Sequence, residues 1–107
     1  MKPADKLLSV IIVSFNTRDI TRECLRRVLE YGAELDMEVI VVDNASSDNS
    51  ADMVATEQEI YGSQVKLIRT EKNLGFAGGN NVGIRAASGR FLPVSYTHLT
   101  LPTKRIV

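Results

Sequence analysis

Two almost uninterrupted runs of branched apolar residues constrain the fold of this 107-residue chain more than any other feature. The runs are LLSVIIVSF at residues 7–15 and MEVIVVD at residues 37–43. A strand that is apolar on both of its faces is typical of a parallel sheet covered by helices on both sides. A shorter run, VKLIR at residues 65–69, predicts a third strand of the same sheet.

The segment between the first two runs has the spacing of an amphipathic helix. Thr17 or Asp19 is placed to cap the start of this helix, and Gly32 is placed to end it. The positions predicted to face the sheet are Ile20, Cys24, Leu25, Val28 and Leu29, and those predicted to face solvent are Arg18, Arg22, Arg26 and Arg27. Strand, helix and strand therefore form one βαβ unit.

Two further helices are predicted. Residues 47–50, SDNS, supply candidate caps for a helix that extends to about Glu57 and buries Met53 and Val54. Residues 75–89, GFAGGNNVGIRAASG, predict a glycine-rich loop that becomes a helix. The alternation of strands and helices predicts an α/β fold with an open, doubly wound, mainly parallel sheet.

Composition excludes several classes of partner and site. Thirteen basic residues balance thirteen acidic ones, so the chain as a whole has no charge excess that would favour nucleic acid. The single cysteine, Cys24, allows no internal disulfide, which fits a reducing compartment. The apolar run near the N-terminus is too short to span a bilayer. We therefore expect a cytoplasmic protein, with the inner face of the membrane as the alternative location for a longer parent.

Polar residues follow each predicted strand, at the edge where open α/β sheets bind ligands. Asp43 ends the second run, and a carboxylate there can accept hydrogen bonds from a base N–H or from ribose hydroxyls. An aspartate at that position also commonly caps a turn, and the spacing alone does not separate the two interpretations. Asn44, Ser46 and Ser47 are placed either to stabilise the turn or to contact the ligand.

The segment NLGFAGGNN at residues 73–81 also has two interpretations. Its glycines permit tight turns with positive φ, but a glycine-rich loop at a helix N-terminus also suits a phosphate group. The segment is not the dinucleotide pattern G-x-G-x-x-G, and no G-K-[ST] occurs in the chain. A nicotinamide-dependent dehydrogenase and a P-loop NTPase therefore lose support.

Three motifs in order resemble the nucleotide-sugar-binding domain of family 2 inverting glycosyltransferases, which have the GT-A fold. They are LSVIIVSFN, VIVVDNASSDNS and NLGFAGGNNVGIRAASGRFL, and the resemblance covers residues 8–92. It extends over the N-terminal half of that domain. The third motif is particularly similar to the branch containing rhamnosyltransferases that build bacterial cell-surface polysaccharide.

The resemblance implies a reaction. A sugar passes with inversion from a nucleoside diphosphate donor, dTDP- or UDP-linked, to a hydroxyl of an acceptor glycan or lipid-linked saccharide. A divalent cation, Mg²⁺ or Mn²⁺, neutralises the diphosphate, and a carboxylate base takes the acceptor proton. The resemblance also implies that Asp43 binds the base, and it places the nucleotide-sugar-binding site at Val13, Ser14, Phe15, Asn16, Asp43, Asn44, Asn73, Gly75, Phe76 and Asn81.

The chain departs from the family pattern after Leu92. The family continues through a fourth strand to a D-x-D-like pair that ligates the metal, whereas this chain reads PVSYTHLTLPTKRIV and has no acidic residue after Glu71. We therefore predict no catalytic residue and no metal ligand in this chain, and no activity for the chain by itself. We also expect truncation before or within the fourth strand, which would leave one edge of the first strand unpaired.

We hypothesise a specific cause for the abrupt change in sequence after Leu92. Residues 94–103, VSYTHLTLPT, are the translation of GTC TCT TAT ACA CAT CTG ACG CTG CCG ACG, which looks like a transposase adapter from DNA library preparation. On this hypothesis residues 1–92 are the glycosyltransferase segment and residues 93–107 are a non-native tail. The alternative is a natural strand and loop. Recovering the nucleotide sequence tests the hypothesis, because other codons in this segment would contradict it.

Two other function classes stay open at this point. A nucleotidyltransferase that forms sugar nucleotides also binds nucleotide on an α/β sheet, but it should carry a glycine-rich basic signature directly after the first strand. The corresponding segment, SFNTRDIT, contains no glycine. A non-enzymatic α/β nucleotide-binding module would need only the fold, and it predicts that the full-length gene also lacks the acidic pair.

Overall fold

Four parallel strands alternate with three helices along the chain. The computed structural model describes residues 8–32, 36–88 and 90–94, with the backbone alone for residues 91–94. The elements are β1 (Leu8–Ser14), α1 (Arg18–Tyr31), β2 (Met37–Asp43), α2 (Ser50–Tyr61), β3 (Val65–Arg69), α3 (Gly75–Ala86) and β4 (Arg90–Val94), with a 3-10 turn at Gly62–Gln64. The described strands form one sheet in the order β3-β2-β1-β4. Every neighbouring pair is parallel.

Helices cover both faces of this sheet, which explains why β1 and β2 are apolar at nearly every position. Val10 and Ile12 face the side on which α1 and α2 pack. Ile11 and Val13, on the opposite face, pack against α3. Since successive side chains of a strand point to opposite faces, both sets are buried. The predicted doubly wound α/β fold is confirmed.

Helix α1 forms where the spacing predicts it, with one difference in its first turn. Thr17 precedes the helix, and the N–H of Gly32 closes it by donating to the Val28 carbonyl at 2.9 Å. Ile20, predicted to face the sheet, is instead 54% exposed, and Thr21 is buried in its place. The reason is polar pairing, because the Thr21 hydroxyl lies 2.9 Å from the hydroxyl of Ser14 at the end of β1.

Helix α2 is longer than predicted. Met53 and Val54 are buried as expected, but the helix continues past Glu57 to Tyr61. Glu57 lies on the buried side, where its two carboxylate oxygens accept hydrogen bonds from the Arg26 guanidinium at 3.2 and 2.9 Å. This pair joins α1 to α2. No helix in the described part of the chain has the length and apolar character needed to cross a membrane.

Helix α3 begins at Gly75 itself, so the glycine-rich loop predicted before it is wrong. Gly79 and Gly83 lie on the side of the helix that faces the sheet. A Cβ atom at Gly79 would lie 2.7 Å from Val13 Cγ1, and one at Gly83 would lie 2.5 Å from Ile11 Cγ2. These glycines therefore allow the helix backbone to approach the sheet closely, which a side chain would prevent.

Strand β4 corrects the expectation of an unpaired edge on β1. Residues 90–94 pair in parallel with residues 8–12, from Leu8 opposite Arg90 to Ile12 opposite Val94. Pro93 lies within β4, which is an edge strand of the described sheet and therefore a place where proline is tolerated. Of the segment for which a non-native origin is hypothesised, residues 95–107 lie outside the described residues.

Candidate functional site

The carboxyl ends of β1, β2 and β3 meet at one edge of the sheet. In the parallel register, Asp43 lies opposite Ser14 on one side and opposite Arg69 on the other. The segments that leave these three strands are therefore neighbours, as predicted from the order of the motifs. This edge is where parallel α/β sheets bind their ligands.

Asn44 ties the three strand ends together. Its backbone N–H donates to the Ser14 carbonyl at 2.8 Å. Its side-chain Nδ2 donates to the Gly75 carbonyl at 3.0 Å, and its Oδ1 accepts from the Thr70 hydroxyl at 3.1 Å. Because a carbonyl oxygen can only accept, Gly75 fixes which end of the amide faces it. Asn44 is thus held in one orientation and is almost completely buried, at 1% exposed.

A cavity of about 260 Å³ opens beside Asn44, on the α3 side of the sheet edge. Six of the residues predicted to bind the nucleotide sugar line it together with one further threonine: Val13, Phe15, Asn44, Asn73, Gly75, Phe76 and Thr17. The lining carries no charged side chain. Phe15 and Phe76 are large apolar side chains that stay 43% and 52% exposed, and they leave aromatic surface available at the cavity. Such a cavity suits a flat, uncharged ring.

The remaining predicted residues, Ser14, Asn16, Asp43 and Asn81, do not line this cavity. Asn16 joins the loops after β1 and β2, since its N–H donates to the Ser46 hydroxyl and its Oδ1 accepts from the Ser47 N–H, each at 2.8 Å. Ser14 is buried, with its hydroxyl at Thr21. Asn81 is exposed on α3. These residues shape the edge or lie outside it.

Asp43 is fully buried, and alternation along β2 places it on the face that carries Val41, toward α1 and α2. One of its oxygens, Oδ2, lies 3.4 Å from the Ser46 N–H and 3.9 Å from Arg69 Nε. The other, Oδ1, has no hydrogen-bond partner. The carboxylate therefore lies at the predicted strand end but turns to the opposite face from the cavity.

Thr17 is the lining residue that the sequence did not indicate. It was predicted as a helix cap, and its hydroxyl lies 3.1 Å from that of Thr21 and 3.4 Å from that of Ser14. The position of Thr17 in the sequence indicates that it lies near the cavity. A residue directly before the first helix of a βαβ unit must lie at the carboxyl edge of the sheet.

A larger cavity, of about 450 Å³, lies at the start of α1 and has two acidic lining residues, Asp19 and Asp48. Asp19 pairs with Arg18 and Arg22. Asp48 also has partners: Oδ2 accepts from the Arg18 N–H at 3.0 Å, and Oδ1 accepts from the Ser50 hydroxyl and N–H. The hydrogen bond from the Ser50 hydroxyl, helped by the two backbone N–H groups, holds the pKa of Asp48 below its usual range. Asp48 thus links the starts of α1 and α2 and has a structural role.

The divalent cation implied by the resemblance does not fit the described residues. A hard cation needs several oxygen ligands, usually carboxylates, and the cavity lining contains no carboxylate. Across residues 8–32, 36–88 and 90–94, no three histidine, cysteine or acidic side chains come close enough together to hold a metal ion. No step is therefore derived through a metal at these residues.

Comparison with known proteins gives a consistent result. The family model "Glycosyl transferase family 2" matches residues 9–102, past Leu92. The Escherichia coli protein WfgD, a UDP-Glc:alpha-D-GlcNAc-diphosphoundecaprenol beta-1,3-glucosyltransferase, is 34% identical over 88 residues, which are 82% of this chain and 33% of WfgD.

Two solved structures share the fold. The mannosyltransferase PcManGT from Pyrobaculum calidifontis, in complex with GDP-Man and Mn²⁺, has a TM-score of 0.68 at 25% identity, and the match covers 79% of this chain and 25% of PcManGT. S. aureus TarS 1-349 in complex with UDP-GlcNAc has a TM-score of 0.67 at 28% identity, with 84% of this chain and 26% of TarS covered. The chain spans about a quarter to a third of the length of these three proteins.

Proposed function

The chain belongs to glycosyl transferase family 2, and from that premise we propose that its cavity holds the nucleoside of a nucleoside diphosphate sugar. The observation that carries the proposal is the lining itself: Phe15 and Phe76 offer aromatic surface, Asn44 offers an oriented amide, and no charge is present. A nucleobase is a flat, neutral ring with hydrogen-bonding edges, and stacking on an aromatic side chain stabilises it.

We assign the contact with the base edge to Asn44 rather than to Asp43. Both residues are buried, but Asn44 lines the cavity and its amide has one N–H and one oxygen lone pair beyond its two side-chain hydrogen bonds, whereas Asp43 faces α1 and α2 and does not line it. An adjacent donor and acceptor match the carbonyl and imide N–H of uracil or thymine. This complementarity supports UDP- or dTDP-linked donors for the parent protein.

For the parent protein we propose sugar transfer with inversion to a hydroxyl of a glycan or lipid-linked saccharide, in cell-surface polysaccharide synthesis. WfgD is named for a diphosphoundecaprenol-linked acceptor, which supports this class of acceptor. The Mn²⁺ in the PcManGT complex supports a divalent cation in the parent, with ligands from outside the described residues. Rhamnose as the sugar, and a location in the cytoplasm or at the inner face of the membrane, are parts of the same proposal.

The 107-residue chain by itself should not transfer sugar, because no acidic residue follows Glu71 to serve as metal ligand or base. The measurement is an assay of the purified chain with UDP- and dTDP-sugars and a saccharide acceptor. Nucleotide release above a control without protein would contradict this expectation.

Nucleotide binding is the part of the proposal that the chain can test. Replacing Phe76 with alanine should weaken UDP binding by about 1–3 kcal/mol, the range for loss of one stacking contact with a base. The measurement is a titration of wild type and variant with UDP, followed by NMR because the affinity is expected to be low.

The matched control is Ile60→Ala. Ile60 is also a large, exposed apolar residue, at 61%, but it lies near the end of α2, away from the cavity. It should leave UDP affinity unchanged. Equal affinities for wild type, Phe76→Ala and Ile60→Ala would show that the cavity is not the nucleotide site.

A further inference from the structure

A buried carboxylate lies at the other end of the sheet, near the start of β2. Glu38 has no exposed surface. Its Oε2 accepts hydrogen bonds from the Ser9 hydroxyl at 2.6 Å, from the Ser88 N–H at 2.9 Å and from the Ser88 hydroxyl at 3.0 Å. Its Oε1 lies 2.7 Å from the ammonium group of Lys66. Oε2 is therefore satisfied by three hydrogen bonds, whereas Oε1 is compensated by the charge of Lys66 without a regular hydrogen bond.

The partners of Glu38 come from different elements of the fold. Ser9 belongs to β1 and Lys66 to β3, the two strands that flank β2. Ser88 belongs to the connection between α3 and β4, and one residue separates it from Arg90, where β4 begins. Of these partners, Ser88 alone gives two donors to the same oxygen, so Glu38 holds both its backbone and its side chain.

The two hydrogen bonds between Ser88 and Glu38 lie directly before the start of β4. In the described sheet β4 pairs with β1 alone, and that pairing covers five residues of each strand. β4 and β3 are both short edge strands with one partner, so their register is less constrained than that of β1 and β2, and a slip of one residue would turn every side chain to the other face. A fixed point just before Arg90 removes this freedom.

We propose that Glu38 is a positioning residue that sets the register of β4 on β1 by holding Ser88 in place. Because β4 runs parallel to β1, its carboxyl end points to the same edge as Ser14, where the cavity lies. Glu38 thus controls, from the opposite end of the sheet, the register with which β4 reaches that edge. This inference depends on the contacts of Glu38 and does not require the cavity to bind a nucleotide.

The competing view is that Glu38 contributes only to overall stability. The two views differ in where backbone hydrogen bonds weaken. A general loss of stability lowers amide protection in all strands together, whereas a loss of positioning opens β4 more than β2 and β3. Residue-resolved hydrogen exchange of the full chain measures this ratio directly.

Glu38→Leu is the informative variant, because leucine removes both acceptor oxygens, whereas glutamine would keep one oxygen for the Ser9 and Ser88 donors. We expect amide protection in β4 to fall about tenfold or more relative to β2, since the partly buried Ser88 N–H loses its acceptor. Ser88→Ala, which removes one donor and leaves the N–H, should shift the same ratio in the same direction by less.

Glu57→Leu is the matched control. Glu57 is likewise buried and paired with a basic side chain, Arg26, but it joins α1 to α2. It should lower protection without changing the ratio of β4 to β2. If Glu38→Leu does not fold, Ser88→Ala decides the question. A wild-type ratio in the folded Glu38 and Ser88 variants, or an equal change in Glu57→Leu, would overturn the proposal.

Discussion

Replacing Gly83 with alanine is expected to destabilise the fold, although alanine is the better helix former. The new Cβ would lie 2.5 Å from Ile11 Cγ2 and 3.3 Å from Ile11 Cγ1. Ile11 is fully buried in β1, between β2 and β4, and it cannot move aside. Overpacking of this kind costs about 1–3 kcal/mol, and the gain in helix propensity is about 1 kcal/mol. We expect a net loss of about 2 kcal/mol, at the upper end of that difference.

Urea denaturation of wild type and Gly83→Ala measures this loss. Asn81→Ala is the control in the same helix, because Asn81 is exposed and alanine there raises helix propensity without facing the sheet. It should leave stability unchanged or slightly raised. A Gly83→Ala variant as stable as wild type would mean that α3 does not pack this closely on the sheet.

The stability contributed by Glu38 should disappear in acid. Burial raises the pKa of this carboxyl, but the hydrogen bonds from Lys66, Ser9 and Ser88 outweigh burial and lower the pKa from 4.5 to about 2. The unfolded chain therefore takes up the proton at a higher pH than the folded chain. The stabilisation is complete above about pH 4.5 and is lost as the pH falls to about 2. The difference between the two pKa values corresponds to about 3 kcal/mol.

The free energy of unfolding of wild type and Glu38→Gln, measured between about pH 2 and pH 6, tests this expectation. Other carboxyl groups titrate in the same range, so the difference between the two proteins is the relevant quantity. That difference should shrink by about 3 kcal/mol toward low pH, because glutamine does not titrate. A difference that stays constant with pH would show that Glu38 is not held ionised by its partners.

The strands of this fold could be predicted closely because burial on both faces leaves a strong pattern. The predicted bounds of β2 and β3 agree with the structure to the residue. The start of α3 could not be predicted, because its glycines were interpreted as a loop. The role of Gly79 and Gly83 depends on close packing against Val13 and Ile11, which are distant in sequence, so it is apparent only in the folded structure.

Six of the ten residues predicted for the site line the cavity, and their role in binding a nucleotide sugar stays a prediction. The sequence places a polar pair at the end of β2, but it does not say which member turns toward α3. The answer depends on the face of the sheet on which each side chain lies. In the structure Asn44 lines the cavity, and Asp43 lies on the side of α1 and α2. The family resemblance had assigned the base to Asp43, and the geometry leads us to propose Asn44 instead.

The most direct test of the nucleotide site is a map of NMR chemical-shift changes when UDP is added to the isotope-labelled chain. We predict that the chemical-shift changes concentrate at the cavity residues Val13, Phe15, Asn44, Gly75 and Phe76. The opposite end of the sheet, around Glu38, should be unaffected. Resonances that stay unchanged at saturating UDP, or changes confined to the end of the sheet that carries Glu38, would contradict it.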